Sequence, residues 1–549
     1  MTAALPYANG EIHLGHVAST YLPADIFARY CRLKGFEVIF VSGTDDYGTP
    51  ILIAAEEKGV SPEEFVRYWH DRDEDDFRAL GISFDLFYQT HSPENIKLAQ
   101  YFFLELLKKG YIFDKETEQW FCPNCKRFLP DRYVKGTCPY CGATDQYSDA
   151  CEACGRAIEP GKIIDPKCAI CRTPPLRKTS RHYFFKLSAL SEKLREWLES
   201  NGCLQKDVKN YVLEWIKEGL KDWDITRDIS WGVPIPLEEA KGKVLYGWFD
   251  NHLGYISFTL KVLKEKGMDG REFWNSAMIY HFIGKDIVYH HYLFLPAMRL
   301  AEGSFKLPDY IPTRGHLLLQ GKKFSKSRKW YISLRDLLER FPPDYLRYYL
   351  TSIVPYSQRD ANFDLDEFQA KINNELVANI GNMIHRVLTF IYKKYDGVIP
   401  EAKRMDKEDE EFLERLKKLP LETGKLMESL EFDKSLKKLR DFCTECNKYF
   451  QIKEPWEKEG DTCLYLTSNA VKALAILLEP FIPDSAEKIW YLLGLEGSVH
   501  KQGWDSAAEL VLKPGHKIRE PKVLFKKIED RDIAILKEYL GEKGSKPLG

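Results

Sequence analysis

The sequence predicts an α/β fold, with a doubly wound parallel sheet that is split by a cysteine-rich insertion and followed by an α-helix bundle. The first observation is an alternation of strand-like and helical patterns up to about residue 110. Strands are expected at 2–5, 37–43 and 82–88, and helices at about 15–34, 61–80 and 92–109. This β-α-β-α order is typical of a parallel sheet with helices on its faces.

The second observation is a break in that alternation at about Tyr111. Up to about Arg177 the sequence is rich in Cys, Pro, Gly and Asp and has little periodicity. We expect an insertion that is held by metal ions rather than by a hydrophobic core. Helical patterns return at 188–220, and strand-like runs resume at 243–249 and 276–284. The sheet is therefore predicted to be interrupted in sequence by the insertion.

The third observation is a helical C-terminal part. From about Asp366 the strand-like runs stop. Apolar residues then recur at the spacing of one helix face, at Ile372, Leu376, Ile380, Met383, Ile384, Val387, Leu388 and Ile391. Further helical patterns cover 408–428, 432–452 and 462–493. They predict a separate helix bundle.

Composition limits the possible functions. The 549 residues are too many for one core,. No stretch approaches the roughly 20 apolar residues of a membrane span, and the N-terminus lacks the pattern of a secretory signal, so we expect a cytoplasmic protein with no membrane partner. The net charge is −2, so any binding of nucleic acid needs a local basic surface.

A first chemical motif, ALPYANGEIHLGH (4–16), joins a strand end to a helix start. The unpaired N–H groups and partial positive charge of a helix N-terminus favour a phosphate. His13 and His16, three residues apart, lie on one side of the helix and can donate hydrogen bonds to phosphoryl oxygens. Gly15 would let a nucleotide approach the backbone. Taken alone, two such histidines are more often ordinary surface or core residues.

A second motif, KKFSKS (322–327), is a basic loop with two hydroxyl groups. It belongs to a cluster without acidic residues that contains Arg314, Lys322, Lys323, Lys326, Arg328 and Lys329. A mobile lysine can neutralise charge that develops on a phosphate in the transition state. The alternative interpretation, a solvated basic loop, is the commoner meaning of such a run.

Together, HLGH at the first strand–helix turn and KFSKS after the split sheet resemble the HIGH and KMSKS signatures of class I aminoacyl-tRNA synthetases. Four segments resemble the methionine-specific members of that family, namely ALPYANGEIHLGH, GTDDYGTP, YGWFDNHLGY and YHFIGKDIVYHH. The resemblance covers residue 2 to about residue 530. It implies ATP-dependent activation of L-methionine and its transfer to the terminal ribose of tRNA(Met).

The resemblance also implies site residues, position by position. For methionine it implies Leu5, Tyr7, Asp46, Trp248, Tyr255, Ile287 and His291, with Asp46 receiving the substrate ammonium. For ATP, which arrives with Mg²⁺, the set is His13, Gly15, His16, Gly284, Asp286 and Lys326. The catalytic residues would be His13, His16, Lys323 and Lys326.

Physical chemistry agrees with a methionine pocket. A thioether gains about 0.3–1.5 kcal/mol from each aromatic contact, which Tyr7, Trp248 and Tyr255 would supply, although Trp248 and Tyr255 could equally be core aromatics. Asp46 follows a strand, and ligands of doubly wound sheets bind at the carboxyl ends of strands. Relatives usually have Ala-Pro where this chain has Asn251-His252, which changes one wall of the site.

Eight of the 13 cysteines form four CxxC pairs, Cys122/Cys125, Cys138/Cys141, Cys151/Cys154 and Cys168/Cys171. Two such pairs make a structural four-cysteine zinc site, so one or two zinc ions are expected. Spacing alone leaves the pairing open. The resemblance implies a nested arrangement, with the inner two pairs sharing one ion and the outer two the other. Cys443 and Cys446 lie in a helical stretch and are interpreted as core residues.

In the bundle, Asn382 and Arg386 are four residues apart and lie off the apolar stripe. Trp456 follows Pro455. Unpaired bases are recognised by stacking on aromatic rings and by hydrogen bonds to their edges. The resemblance places these residues at the anticodon-reading site. Without it, a solvated helix face and a packed Trp would be the better interpretation.

The predicted domains follow from these patterns and from the resemblance. Residues 1–110 and 218–309 would form the two halves of a Rossmann-type catalytic domain, 111–217 a connective insertion with zinc knuckles, 310–365 the KMSKS and stem-contact region, 366–530 the anticodon-binding bundle and 531–549 a tail. We expect a monomer. The alternatives are a class I synthetase for leucine, isoleucine, valine or cysteine, or a non-catalytic tRNA-binding relative.

Overall fold

The computed structural model describes residues 1–130, 133–148, 151, 153, 154, 156, 158, 161–325 and 330–545, with only the backbone described for 542–545. Lys326, to which the sequence assigns a catalytic role, lies outside the described residues. The described helices include none that is both long and apolar enough to span a bilayer.

The strands are short except in the insertion. They are β1 Thr2–Ala3, β2 Val41–Thr44, β3 Leu86–Gln89, β4 Ile112–Cys122, β5 Arg127–Leu129, β6 Val134–Thr137, β7 Gln146–Tyr147, β8 Ile164–Cys168, β9 Leu176–Phe185, β10 Trp223–Asp224, β11 Thr226–Arg227, β12 Val244–Leu245, β13 His281–Gly284, β14 Thr313–Arg314, β15 Leu317–Leu319, β16 Lys322–Lys323 and β17 Ala361–Phe363.

Helices make up most of the remainder. They are α1 Leu14–His16, α2 Leu22–Leu33, α3 Thr49–Lys58, α4 Pro62–Ala79, α5 Pro93–Lys108, α6 Ser191–Ser200, α7 Lys206–Glu218, α8 Gly247–Glu265, α9 Gly270–Ser276, α10 Leu295–Glu302, α11 Leu334–Leu338, α12 Pro343–Ile353, α13 Leu365–Lys371, α14 Asn382–Lys394, α15 Lys407–Glu428, α16 Phe432–Lys453, α17 Asp461–Leu478, α18 Pro483–Leu492 and α19 Asp530–Ser545. Three segments form wider π-helical turns. Val17–Tyr21 joins α1 to α2, His290–Phe294 precedes α10, and Ile372–Gly381 joins α13 to α14.

The central sheet has five strands in the order β14–β13–β1–β2–β3, and every neighbouring pair is parallel. Thr2 pairs with His281 on one side and with Val41 on the other. The strand order reverses at β1, where sheets of this kind bind ligands beyond the carboxyl ends of the strands. The predicted doubly wound, Rossmann-type fold is confirmed, and the loops after β1, β2 and β13 lie at that edge.

The strand expected at 243–249 is largely wrong. Within this run, Val244–Leu245 is the strand β12, and it pairs antiparallel with β11 outside the central sheet. From Gly247 the chain forms the helix α8, and Phe249 is completely buried. Aromatic and branched residues favour strands only weakly, and packing in the core overrides that preference.

The insertion contains regular structure that the sequence did not indicate. Strands β4 and β9 form a long antiparallel ribbon. Many of its side chains are exposed, so no apolar alternation marks it in the sequence. Helices α6 and α7 pack into the same hydrophobic core as α5 and α8 through Leu194, Leu198, Val208 and Val212. These two helices confirm the helical patterns expected at 188–220, whereas the expectation of an insertion held by metal concerns the preceding residues, up to about Arg177.

The bundle is continuous with the first half of the catalytic domain. One hydrophobic core includes residues of α2, α12 and the helices α14–α17. At this junction the Arg347 guanidinium, with no exposed side-chain surface, donates to Asp25 Oδ2 at 2.7 Å and to the Pro480 carbonyl oxygen at 2.7 Å. Arg29 donates to Asp25 at 2.9 Å and to Glu479 at 2.7 Å. A buried charge network therefore links the sheet to the bundle.

Removal of one charge from this network is predicted to destabilise the folded protein strongly. Asp25→Ala leaves Arg347 buried without its carboxylate, which costs about 3–5 kcal/mol, and the thermal midpoint should fall by several degrees. Burial would raise the pKa of Asp25, but Arg29 and Arg347 lower it to about 2. The contribution of ionised Asp25 to the free energy of unfolding is thus complete above a pH of about 4, and it is lost as the pH falls towards 2.

The control for this prediction is Glu74→Ala, which removes an exposed ion pair with Arg78 on α4. Exposed pairs contribute about 0–1 kcal/mol, so its midpoint should match that of the parent protein. Equal midpoints for the two variants, measured by calorimetry at pH 7, would contradict the role given to Asp25.

Candidate functional site

The HLGH segment starts a helix, as predicted. His13 caps α1 in an extended conformation, and its Nδ1 accepts the Gly15 N–H at 3.1 Å. His16 Nδ1 accepts the His13 N–H at 3.2 Å, and the two rings stack at 3.7 Å. A neutral imidazole that accepts through Nδ1 carries its proton on Nε2. A Cβ on Gly15 would meet the His13 ring at 3.0 Å, so glycine is needed there for the cap itself.

The basic segment lies against this helix start. The Phe324 ring stacks on the His13 ring at 4.7 Å. Beyond the undescribed residues 326–329, Ser333 forms a β-bridge with His13, and the Leu334 N–H donates to the Ile12 carbonyl oxygen at 2.8 Å. Lys323 on β16 is exposed. Described residues both before and after the segment 326–329 therefore lie beside His13.

Strand β13 brings Gly284 and Asp286 to the same edge of the sheet. Gly284 is the last residue of β13, and Asp286 lies in the short 3-10 turn that follows. A Cβ on Gly284 would approach Asp286 Oδ1 to 2.6 Å, while Ser19 Oγ lies at 3.6 Å. The close approach explains why glycine stands here, and it places Asp286 next to the helix that continues from α1.

A cluster of aromatic residues, predicted above to form the methionine pocket and called the aromatic pocket below, lies beside this edge. Tyr7 meets Trp248 edge to face at 6.4 Å. The Tyr255 hydroxyl and His291 Nε2 are 2.8 Å apart, and His291 Nδ1 lies 3.0 Å from the Ile287 carbonyl oxygen. These five residues of the predicted methionine set are contributed by the loop after β1, by α8 and by the segment after β13.

Leu5 completes that wall. Its Cδ2 lies 3.6 Å from the point where a Cβ on Gly254 would stand. This is an ordinary van der Waals distance, so Leu5, which is half-buried in the loop after β1, packs close to Gly254 of α8.

The predicted ammonium acceptor, Asp46, belongs to a group of three buried carboxyls. Asp45, Asp46 and Asp250 are at most 1% exposed. Burial raises the pKa of Asp45 to about 7 and that of Asp46 to about 8, and it raises the pKa of Asp250 well above the usual value. Asp46 Oδ2 accepts the His91 N–H at 3.1 Å, whereas Oδ1 has no hydrogen-bond partner among the described residues. A cation bound here would favour the ionised form.

Several contacts of the site were not predicted from the sequence. Trp231 Nε1 donates to the Asp46 carbonyl oxygen at 2.6 Å, and Asn251 Nδ2 donates to Asp45 Oδ2 at 2.7 Å. His290 stacks on Trp248 at 3.7 Å with nearly parallel planes. The replacement of Ala-Pro by Asn251-His252 was a usable signal, whereas no local pattern marked Trp231.

The eight cysteines of the insertion form two groups. One contains Cys122, Cys125, Cys168 and Cys171, and the other Cys138, Cys141, Cys151 and Cys154. Within each group the sulfur atoms all lie within 4.8 Å of one another. Four clustered thiols fit a tetrahedral zinc ion, and the grouping is the nested one that the resemblance implied. Cys443 and Cys446 are buried in α16, as expected of core residues.

The first cysteine group is tied to the catalytic half through Glu56. Arg127, next to that group, donates to both Glu56 carboxylate oxygens at 2.8 and 3.1 Å, and the Tyr133 hydroxyl donates to Oε2 at 3.2 Å. Glu56 lies on α3, the helix that follows the Asp45-Asp46 loop. The insertion therefore holds a helix next to the buried carboxyls.

On the bundle, Arg386 and Trp456 lie together. The Arg386 guanidinium stacks over the rings of Phe450 and Trp456 at 4.6 and 5.2 Å. Trp456 is half-buried, and Asn382, one turn earlier on α14, is exposed. The group presents a flat aromatic and cationic surface with an amide beside it, which is suited to unpaired bases.

Two family models match the chain. A model of class I tRNA synthetases (M) matches residues 1–388, and a model of the anticodon binding domain of methionyl tRNA ligase matches residues 399–543. The chain belongs to the methionine–tRNA ligase family. It is accordingly an enzyme that forms aminoacyl-tRNA.

Relatives support the same family over the full length. The methionine–tRNA ligase of Methanopyrus kandleri is 44% identical over 100% of this chain and 83% of its own length. That of Pyrococcus furiosus is 46% identical over 98% of this chain and 77% of its own. A Mycobacterium tuberculosis methionyl-tRNA synthetase bound by methionyl-adenylate, 26% identical, superposes with a TM-score of 0.79 over 96% of this chain and 99% of that one.

Metal analysis tests the two cysteine groups. We expect two zinc ions per chain, because two four-thiol groups are present,. Cys122→Ser and Cys138→Ser should each reduce the content to about one ion, since three thiolates hold zinc less tightly than four. Cys443→Ser is the matched control and should leave the content unchanged. A parent protein without zinc, or full occupancy in both site variants, would refute the assignment.

Proposed function

We propose that this ligase joins L-methionine to tRNA(Met) in two steps, through methionyl-adenylate. The observation that carries the proposal is the stacking of Phe324 on His13, because it brings the described start of the KFSKS segment to the HLGH helix start. In the first step the methionine carboxylate attacks the α-phosphorus of ATP in line, and pyrophosphate leaves. Positioning of the two substrates supplies much of the rate enhancement, so no side-chain nucleophile is required.

Methionine would lie in the aromatic pocket, with its side chain against Leu5, Tyr7, Trp248, Tyr255, Ile287 and His291. Its ammonium would bind Asp46, whose Oδ1 has no partner among the described residues. The substrate ammonium would ionise Asp46, because a nearby cation lowers the raised pKa of a buried carboxyl. Binding therefore couples to the release of a proton in the pH range below about 8.

The phosphates of ATP would lie over the start of α1. We assign Nε2–H of His13 and of His16 as donors to phosphoryl oxygens, since Nδ1 of each ring accepts a backbone N–H. Lys323 and Lys326 of the basic loop would neutralise charge on the leaving pyrophosphate. Mg²⁺ would enter with ATP and supply further positive charge to its phosphates.

The nucleoside of ATP would occupy the switch point between β1 and β13. Gly15 and Gly284 have no side chain to block it, and Asp286 is exposed beside them. A carboxylate at this position of a doubly wound sheet is suited to accept hydrogen bonds from ribose hydroxyls.

In the second step the 2′-hydroxyl of the terminal ribose of tRNA would attack the adenylate carbonyl, and AMP would leave. We assign Asn382, Arg386 and Trp456 to the reading of the anticodon. We also propose that residues 310–365 contact the tRNA stem and that residues 366–530 bind its anticodon. Structural zinc held by the eight cysteines would stabilise the insertion.

ATP–pyrophosphate exchange tests the proposal. We expect exchange with methionine and little with leucine, isoleucine, valine or cysteine. Asp46→Asn should raise the KM for methionine about 10- to 100-fold, because a charged hydrogen bond is worth about 1.5–3 kcal/mol. The parent KM should fall as the pH rises towards 8, and this dependence should vanish in Asp46→Asn.

The matched control is Asp75→Asn, an exposed carboxyl on α4, which should leave the KM unchanged. Absence of exchange with methionine would reject methionine as the substrate. An unchanged KM in Asp46→Asn would reject Asp46 as the acceptor of the substrate ammonium.

Aminoacylation tests the anticodon surface separately. Trp456→Ala should lower kcat/KM for tRNA about 5- to 150-fold, since base stacking is worth about 1–3 kcal/mol, and Arg386→Ala should act similarly. ATP–pyrophosphate exchange should be unaffected in both. Tyr491→Ala, an exposed aromatic on α18, is the control. Unaltered aminoacylation in the Trp456 and Arg386 variants would place anticodon reading elsewhere.

A further inference from the structure

Two histidines in the aromatic pocket contain ring nitrogens without partners. His252, on α8, is 0% exposed, and neither Nδ1 nor Nε2 has a hydrogen-bond partner among the described residues. The same holds for the buried Nδ1 of His290. A buried polar atom without a partner costs about 1–3 kcal/mol, so three of them within one pocket need a physical explanation.

Both rings lie within the wall proposed for methionine. The His252 ring is 5.5 Å from Trp248, 4.9 Å from His291 and 6.4 Å from Tyr255, measured between centroids. His290 lies flat on Trp248, 5.7 Å from His252. The two imidazoles are therefore among the side chains that would surround the substrate side chain.

Neighbouring buried histidines do have partners. His291 contacts the Tyr255 hydroxyl, as described above, and His281 lies 2.5 Å from Thr2 Oγ1 and 3.1 Å from Arg299. Among the described histidines, buried ring nitrogens without a partner thus occur at His252 and His290. Burial lowers the pKa of His252 well below its usual value and that of His290 to about 3, so each ring is neutral and offers one donor and one acceptor.

We propose that His252 and His290 are specificity-determining residues, which select an unbranched amino acid side chain with a hydrogen-bond acceptor at the position of the methionine sulfur. This inference rests on the proposed function and names the substrate class of the same pocket. The thioether of methionine is a weak acceptor, methionine sulfoxide is a strong one in the same place, and norleucine has a methylene group there. A site built to hydrogen-bond its substrate rejects the analogue that lacks the partner, because its own polar groups are left unpaired.

The test compares kcat/KM for methionine, norleucine and methionine sulfoxide in ATP–pyrophosphate exchange. In His252→Leu and in His290→Phe we expect the norleucine-to-methionine ratio to rise about tenfold or more. Exchange with methionine sulfoxide should be measurable in the parent protein and should fall relative to methionine in both variants. His252→Gln, which keeps a donor and an acceptor, should retain the parental ratios.

The control is His516→Asn, because His516 is half-buried in the bundle, where it contacts the Leu493 carbonyl oxygen and no residue of the aromatic pocket. Each ratio compares two substrates on one preparation, so a partly folded variant still gives a valid answer. Parental ratios in both His252→Leu and His290→Phe would overturn the inference, whereas failure of methionine itself to drive exchange in the parent protein would overturn the proposed function instead.

Discussion

The arrangement of the helix bundle relative to the sheet-bearing part of the chain depends on the ion pair between Asp25 and Arg347. Both side chains are fully buried, and removing two charges from water is costly unless further hydrogen bonds satisfy them. Asp25 also accepts from the Ser83 backbone and hydroxyl, and Arg347 donates to the carbonyl oxygens of Pro480 and Phe481. Such a network is satisfied in one geometry, so it fixes the orientation of the bundle relative to the helix that starts at HLGH.

The edge of the sheet at the proposed site has the opposite character, because its buried carboxyls are left incompletely satisfied. Asp46 and Asp250 have buried carboxylate oxygens without partners among the described residues, and burial raises the pKa of both. Burial of these unpaired oxygens lowers the free energy of unfolding, and a ligand that donates hydrogen bonds to them would offset that cost. The bidentate contact of Arg127 with Glu56 joins the insertion to the helix that follows Asp45 and Asp46.

Local patterns predicted the parallel sheet, the helix start at HLGH and the clustering of cysteines, because each depends on residues close in sequence. The β4–β9 ribbon was missed because many of its side chains are exposed and give no alternation. Trp231 was missed, and so was the contact of Asn251 with Asp45, because the two contacts join residues 185 and 206 positions apart. The strand expected at 243–249 failed where packing of α8 in the core outweighed the preference of its aromatic residues.

The π-helical turn His290–Phe294 has a consequence for how this pocket can change. Turns of this kind usually interrupt an α-helix as a single bulge and are frequent at functional sites. Here the wider turn lets two consecutive histidines border one pocket, with His290 on Trp248 and His291 on Tyr255. Which side chains border the pocket therefore depends on the rotation of the helix as well as on residue type. Insertion or deletion of one residue in this turn would bring different side chains to the pocket, although no residue there had been substituted.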